Sequence, residues 1–158
     1  MGERTPIWDT HARGVVFGLS LDHGRGHLIR ALMEGAAYGL LHNFELMRES
    51  GVRMDLPMVL SEGGANSSMW RQIVADVLDV ECVFASSSKG APVGNAVCAG
   101  VGVGIYKDYD VVRDWVSYGA RSVPDAGNHA RYRKLYSVYR DLYPALKELF
   151  VGTAEAVR

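Results

Sequence analysis

Residues 57–102 alternate short apolar segments with helical patterns, and this alternation restricts the fold more than any other feature of the sequence. Residues 57–61 predict a short strand, and a helix with an apolar stripe on one side follows. Residues 80–85 are rich in valine and phenylalanine and predict a second strand. Pro92 can open the next helix, because proline fits the first helical turn. Strands and helices that alternate in short units predict an α/β fold with a parallel pair of strands.

A long helical pattern precedes this region, over residues 25–50. Gly51 follows it directly, where a left-handed cap favours glycine. Ala31, Gly35 and Gly39 lie four residues apart and form a face without bulky side chains. Glycine destabilises a helix interior by up to about 1 kcal/mol relative to alanine. This face therefore predicts a backbone element packed closely against it.

Three further segments receive weaker assignments. Residues 14–19 predict a short strand or a buried turn, and residues 108–116 predict a short helix. Residues 129–150 carry tyrosine and leucine at helical spacing and predict the last helix. Pro144 should kink that helix near Arg140, whose carbonyl loses its amide partner.

The composition is that of an ordinary globular protein. The chain has 158 residues, of which 48% are hydrophobic, and a formal net charge of -1. A nucleic-acid partner would require a basic surplus, and a membrane span would require about 20 consecutive apolar residues. Cys82 and Cys98 have no metal-ligand spacing and read as buried, reduced thiols. We therefore expect no nucleic acid, no membrane and a cytoplasmic location.

The best local candidate for chemistry is the segment over residues 61–68, with the sequence SEGGANSS. A strand ends in two glycines and a helix begins at once, with Asn66 or Ser67 as its cap. Glycines let a ligand approach the main chain, and free amides at a helix N-terminus attract anions. The pattern suits a nucleotide, although the same pattern also occurs as a simple turn.

No residue presents itself as a catalytic group or as a metal ligand. His23 and His27 lie four residues apart, but glycines between them oppose a helical metal pair. Glu34 stands beside Arg30 on the long helix and reads as an ion-pair partner. The sequence contains no Ser-His-Asp order, no P-loop and no Rossmann fingerprint.

Several stretches in order resemble one family. Residues 14–19 (GVVFGL) and, after seven residues, residues 27–34 (HLIRALME) resemble the second signature of the FGGY carbohydrate kinases, with Leu32 as a conservative departure. The loop over residues 2–14 resembles xylulokinase-like members of the family.

The nucleotide segment resembles the same family. Residues 63–76 resemble its adenosine motif, although family members often carry a third glycine where this chain has Glu62. Asn95 is a mild departure, in a segment where the family commonly has Gly-Ala-Ala.

The resemblance implies that residues 1–158 are the C-terminal part of such a kinase, with a motif-bearing portion over 2–107 and C-terminal helices over 108–151. It implies an α/β fold, part of the C-terminal lobe of a ribonuclease H-like, actin-like ATPase, with helices packed on a short, mostly parallel sheet. The sugar and the catalytic base would belong to an N-terminal lobe that this chain lacks. The implied cofactors are ATP and Mg²⁺.

The resemblance also implies the roles of individual residues. The nucleotide would contact Gly63, Gly64, Ala65, Asn66 and Ser68. The parent enzyme would transfer the ATP γ-phosphate to a sugar hydroxyl, with a ketopentose such as xylulose as the first expectation and a polyol or another sugar as the alternative. The chain alone is expected to be inactive. An unpaired sheet edge would make a homo-oligomer plausible. The rival hypothesis is a non-enzymatic α/β module that binds a partner protein or regulates through its Tyr-rich last helix.

Overall fold

The structure is a computed structural model, and it describes residues 2–86 and 90–156. In chain order the elements are α1 (Arg25–Glu49), β1 (Met58–Ser61), a first 3₁₀ helix (Gly63–Asn66), α2 (Ser68–Leu78), β2 (Cys82–Ala85), α3 (Ala91–Gly102), a second 3₁₀ helix (Tyr109–Asp114), β3 (Tyr118–Ser122) and α4 (Ala126–Ala156).

These elements form two compact units. The helical unit comprises Met1–Met54 with Ala126–Arg158 and contains α1 and α4. The sheet unit comprises Asp55–Asp125 and contains the other elements. The predicted division of the motifs at residue 107 stays a prediction.

The sheet unit is built on three strands in the order β1-β2-β3. β1 and β2 are parallel, with Met58 opposite Cys82, which confirms the predicted parallel pair. β3 runs antiparallel to β2, with Ser122 opposite Cys82, so the sheet is mixed rather than mostly parallel. The sequence analysis missed β3 because four of its five residues are exposed and no apolar alternation marks it.

Helix α2 forms the core of this unit. Its residues 73–78 are all buried, where the sequence predicted an apolar stripe on one side only. The run includes Asp76, which is 1% exposed. Its Oδ1 accepts hydrogen bonds from Gln72 Nε2 at 2.7 Å and from the Asp125 amide at 2.9 Å. These bonds offset the cost of burying a carboxylate.

The helical unit is organised around tyrosines. The Tyr38 ring of α1 lies 6.1, 5.9 and 5.6 Å, centroid to centroid, from the rings of Tyr132, Tyr136 and Tyr139 on α4. Such separations are typical of favourable aromatic pairs. Tyr132 and Tyr136 are buried, so the tyrosine stripe predicted from the sequence packs inside its own unit.

Two carboxylates of α1 accept hydrogen bonds from tyrosine hydroxyls of this cluster. Glu34 Oε1 accepts from Arg30 Nε at 2.6 Å and from the Tyr132 hydroxyl at 2.9 Å, which confirms the predicted Arg30–Glu34 pair. Glu45 accepts from Arg133 at 2.8 Å and from the Tyr136 hydroxyl at 2.7 Å. Burial alone raises the pKa of the Glu45 carboxyl, but these hydrogen bonds outweigh burial and hold that pKa below its ordinary value.

The ends of the long helices agree well with the patterns in the sequence. Gly51 has a φ of +77° just past α1. Its amide bonds to the Arg48 carbonyl at 3.1 Å, and the Val52 amide bonds to the Met47 carbonyl at 3.0 Å. This pair of bonds is a Schellman motif, as the glycine predicted. Helix α4 begins three residues earlier than predicted and continues through Pro144.

Three expectations from the sequence are wrong. Residues 14–19 form neither a strand nor a buried turn, since they are exposed and lack regular structure. Cys98 is exposed, whereas Cys82 is buried and its pKa is raised to about 11, mainly by desolvation. The face of α1 around Gly35 is not closely packed, because a Cβ at Gly35 would meet no atom within 4 Å.

Gly35→Ala should therefore stabilise the chain rather than overpack it. Alanine should raise the free energy of unfolding by about 0.5–1 kcal/mol, because it removes the backbone entropy penalty of a helical glycine. The measurement is urea unfolding of the purified chain.

The matched comparison is Gly100→Ala on α3. A Cβ at Gly100 would collide with the Tyr106 ring, so this variant should be less stable than the parent chain. A loss of stability in Gly35→Ala would contradict this expectation and would support the close-packed face that the sequence predicts.

Glu45→Gln should destabilise the chain in a pH-dependent way. At pH 7 we expect a loss of about 1 kcal/mol, the contribution of one hydrogen bond to a charged group that is partly buried. Because the folded-state pKa of Glu45 is depressed, its contribution is complete above the unfolded pKa and disappears as the pH falls through the folded pKa.

Urea unfolding at pH 7 and at pH 3 tests this sign. The gap between Glu45→Gln and the parent chain should shrink at pH 3. Asp141→Asn, on the exposed side of α4, is the control and should leave the free energy of unfolding unchanged at both pH values. A gap of equal size at the two pH values would mean that Glu45 stabilises the unit by packing alone.

Candidate functional site

The predicted nucleotide segment folds into a tight turn between β1 and α2. Glu62 has a φ of +54° and Gly63 a φ of +40°, so the chain leaves the strand through two left-handed residues. Residues Gly63–Asn66 then form one short 3₁₀ helix. The Ala65 amide donates to the Glu62 carbonyl at 2.7 Å and the Ser67 amide donates to the Gly64 carbonyl at 2.9 Å. The turn is therefore held by its own backbone.

Ser67 begins α2 as its N-cap. Its Oγ accepts from the Trp70 amide at 3.3 Å. The sequence left Asn66 and Ser67 as alternatives for this role, and the structure selects Ser67. Asn66 instead donates its side-chain amide to the Gly63 carbonyl at 3.2 Å, within the turn. The cap leaves the first amides of α2, at Ser68 and Met69, without partners inside the helix.

Gly64 is required by packing and not by its backbone angles. Its φ is outside the left-handed range that Gly63 occupies. A Cβ at Gly64 would lie 3.0 Å from Cδ1 and from Nε1 of the Trp70 indole. In the sequence, Trp70 belongs to the apolar stripe of α2 and to the stretch over residues 63–76, without a role of its own. In the structure, its indole covers one side of the turn at Gly64.

Arg71 of α2 holds the turn through a hydrogen bond to its backbone. Its guanidinium donates to the Ala65 carbonyl at 2.5 Å and lies 4.9 Å from the centroid of the Phe84 ring on β2. Arg71 is 8% exposed, and its Nε has no hydrogen-bond partner among the residues that the structure describes. Reasoning from the sequence missed this role, since a buried arginine cannot be told from an exposed one by helical spacing.

The turn borders an open depression. This depression is lined by residues 59–65 and by Trp70. Of the predicted site residues it brings together Gly63, Gly64 and Ala65, while Asn66 and Ser68 do not line it. Both of these side chains are exposed, and Ala65 is buried. The arrangement offers backbone amides and small residues to a flat or anionic ligand.

Neither a metal site nor a membrane span is found in the part of the chain that the structure describes. Over residues 2–86 and 90–156, no group of three His, Cys, Asp or Glu side chains is placed to hold a metal ion. No helix in these ranges is both long and apolar enough to cross a bilayer. His23 and His27 accept hydrogen bonds at Nδ1 from the amides of Ser20 and Gly24, at 2.9 and 3.1 Å.

The curated relatives include xylulose kinases, gluconokinases and a glycerol kinase. The chain is 31% identical over 150 residues to the xylulose kinase of Bacillus subtilis, covering 94% of this chain and 30% of that protein. It is 32% identical over 160 residues to the gluconokinase of Bacillus licheniformis, covering 99% and 31%. A glycerol kinase of Haemophilus influenzae is 36% identical over 135 residues. The chain thus spans about 30% of the length of the xylulose kinase and gluconokinase relatives.

Solved structures agree. The xylulose kinase of Rhodospirillum rubrum superposes with a TM-score of 0.75 at 34% identity, over 88% of this chain and 28% of that one. A Brucella ovis sugar kinase superposes with a TM-score of 0.80 at 27% identity, over 94% and 30%. These neighbours confirm the predicted α/β, actin-like fold.

The family assignment follows from a direct match. Residues 1–103 match the model of the FGGY family of carbohydrate kinases, C-terminal domain. This range contains residues 14–34 and 63–76, which resemble the family's second signature and its adenosine motif. The chain therefore belongs to the FGGY family of carbohydrate kinases.

Proposed function

We infer that this chain forms one wall of the ATP site of a sugar kinase, and that the complete enzyme transfers the γ-phosphate to a sugar hydroxyl. The observation that carries the proposal is the turn at Glu62–Asn66, which presents small residues and the free end of a 3₁₀ helix in a chain of this family. The nucleotide would contact Gly63, Gly64 and Ala65 directly, with Asn66 and Ser68 at its margin.

The residues present fit a nucleotide. The amides of Gly63 and Gly64 stand in the first turn of the 3₁₀ helix and have no partner within it. Gly64 has no Cβ, and the Trp70 indole closes the space on one side of it. A Cβ at Gly63 would meet no atom within 4 Å, so a flat base or a phosphate oxygen can approach the main chain closely at that residue. We assign no residue of this chain to Mg²⁺, which belongs to the proposal through the family alone.

This chain contributes binding and orientation rather than a proton transfer. Phosphoryl transfer depends on positioning and on electrostatic stabilisation of the transferred group. Arg71 donates a hydrogen bond to the Ala65 carbonyl and so helps to hold the turn in place for the nucleotide. The proposed sugar is a ketopentose such as xylulose, because xylulose kinases are prominent among the relatives. The proposed location is the cytoplasm.

The interaction-module alternative loses its main support. It required the tyrosine stripe of α4 to face a partner protein. Tyr132 and Tyr136 are instead buried against Tyr38 of α1, and their hydroxyls bond to Glu34 and Glu45. Among residues 2–86 and 90–156, no specific contact favours a non-enzymatic role.

Gly64→Val should weaken ATP binding selectively. We expect the KM for ATP to rise by about tenfold or more, equivalent to the loss of one or two hydrogen bonds. The KM for the sugar should stay within about twofold, since a wall of the nucleotide site contributes nothing to sugar binding. The measurement is steady-state kinetics of the full-length gene product, with Cys98→Ser on the exposed side of α3 as the control.

A second variant separates blocking of the ligand from displacement of the indole. In a Trp70→Ala background the new valine has no indole to displace, so a direct block should persist and an indirect effect should disappear. Wild-type ATP kinetics in folded Gly64→Val enzyme would show that the glycines form a turn and nothing more.

The chain alone should not phosphorylate a sugar. It spans about 30% of its xylulose kinase and gluconokinase relatives, and the reaction requires the sugar, a base and the triphosphate to be brought together. A coupled assay for ADP with D-xylulose, gluconate or glycerol should give the rate of a mock preparation. Sugar-dependent ADP release that co-purifies with the chain would contradict this expectation.

A further inference from the structure

Glu62 stands at the entrance of the turn in an unusual backbone conformation. Its φ is +54° and its ψ is -177°, directly before the first 3₁₀ helix. Residues with a Cβ rarely adopt a positive φ, because the Cβ crowds the neighbouring backbone. Glycine would relax this position. The turn therefore carries the glutamate side chain at a cost in stability, and such positions cluster at ligand sites.

The Glu62 carboxylate lies against Gly90, the N-cap residue of α3. A Cβ at Gly90 would collide with both carboxylate oxygens of Glu62, and Gly90 itself has a φ of +57°. The carboxylate does not cap the 3₁₀ helix that follows it. The carboxylate thus lies beside a glycine, and Glu62 lines the same depression as Gly63, Gly64 and Trp70.

Charge restricts what this carboxylate can meet in a bound nucleotide. An ionised carboxylate only accepts hydrogen bonds, and the phosphates also accept and are negative. Phosphates beside Glu62 would therefore be repelled. The groups of ATP that donate are the ribose 2′- and 3′-hydroxyls and the exocyclic amine of adenine. All of them belong to the nucleoside.

We propose that Glu62 determines nucleotide specificity and orientation, because its carboxylate accepts a hydrogen bond from the nucleoside of the bound nucleotide. The nucleoside then occupies the Glu62 end of the depression, and the phosphates point away from it. This proposal rests on the proposed function, since it needs ATP at the turn. The shared chemistry is a nucleoside donor group, and the ribose and the adenine amine are its two possible sources.

The test compares ligands that each lack one donor. Calorimetry on the full-length gene product, without sugar, gives the dissociation constants of ATP, 2′-deoxy-ATP, 3′-deoxy-ATP and inosine triphosphate. Wild-type protein should bind one of the three analogues about tenfold to a hundredfold more weakly than ATP, the value of a hydrogen bond to a charged group. Weaker binding of a deoxy analogue identifies the ribose, and weaker binding of inosine triphosphate alone identifies the amine.

Glu62→Gly should remove this discrimination, so that ATP and the affected analogue bind equally. Asp79→Gly is the matched control, because Asp79 is another acidic residue with a positive φ, of +55°, at the opposite end of α2. It relaxes the backbone in the same way and should leave the discrimination intact. Gly90→Ala should reduce the discrimination by displacing the carboxylate, whereas Gly104→Ala, also at positive φ but with open space, should not.

The possible failures differ. Wild-type protein that binds no ATP would overturn the proposed function, and this inference with it. Wild-type protein that binds ATP but treats all three analogues alike would overturn this inference alone. Discrimination that survives in Glu62→Gly would assign it to another residue and would also overturn this inference.

Discussion

The contact between the Arg71 guanidinium and the Ala65 carbonyl is the interaction on which the candidate site depends. Arg71 is 8% exposed, and burial of its guanidinium carries a large desolvation cost that hydrogen bonds and ring contacts must offset. Here the Ala65 carbonyl and the Phe84 ring supply that compensation. Through its contacts with both groups, Arg71 connects the turn to strand β2. Removing the charge would therefore release the turn as well as unpack the core.

The helical unit solves a comparable problem with carboxylates. Its tyrosines bring large apolar rings into the contact between α1 and α4, but each brings a hydroxyl that needs a partner. Glu34 and Glu45 accept from two of these hydroxyls, and arginines neutralise both carboxylates. Tyr38 differs from these two tyrosines, because its hydroxyl is buried without a partner among the described residues, and burial raises its pKa. The depressed pKa of Glu45 therefore links the stability of this unit to pH.

Glycine has different causes at different positions of this chain. Gly51, Gly63 and Gly90 have positive φ, so backbone conformation explains them. Gly64 and Gly100 do not, and they are explained by the rings of Trp70 and Tyr106 that lie where a Cβ would be. Gly35 has neither reason within this structure. A glycine in a sequence signals one of these causes, but only the surrounding atoms decide which one.

The sequence by itself determined the class of fold and the family. The parallel pair β1 and β2, the helix between them, the Schellman glycine and the nucleotide-like turn all depend on local patterns, and local patterns can be read without the fold. Only the tertiary structure decided the antiparallel strand β3, the burial of Arg71 and Asp76, the exposure of residues 14–19 and the contact of Glu62 with Gly90. Each of these depends on atoms that are distant along the chain, and neither the periodicity nor the composition of one segment records which distant segment will pack against it.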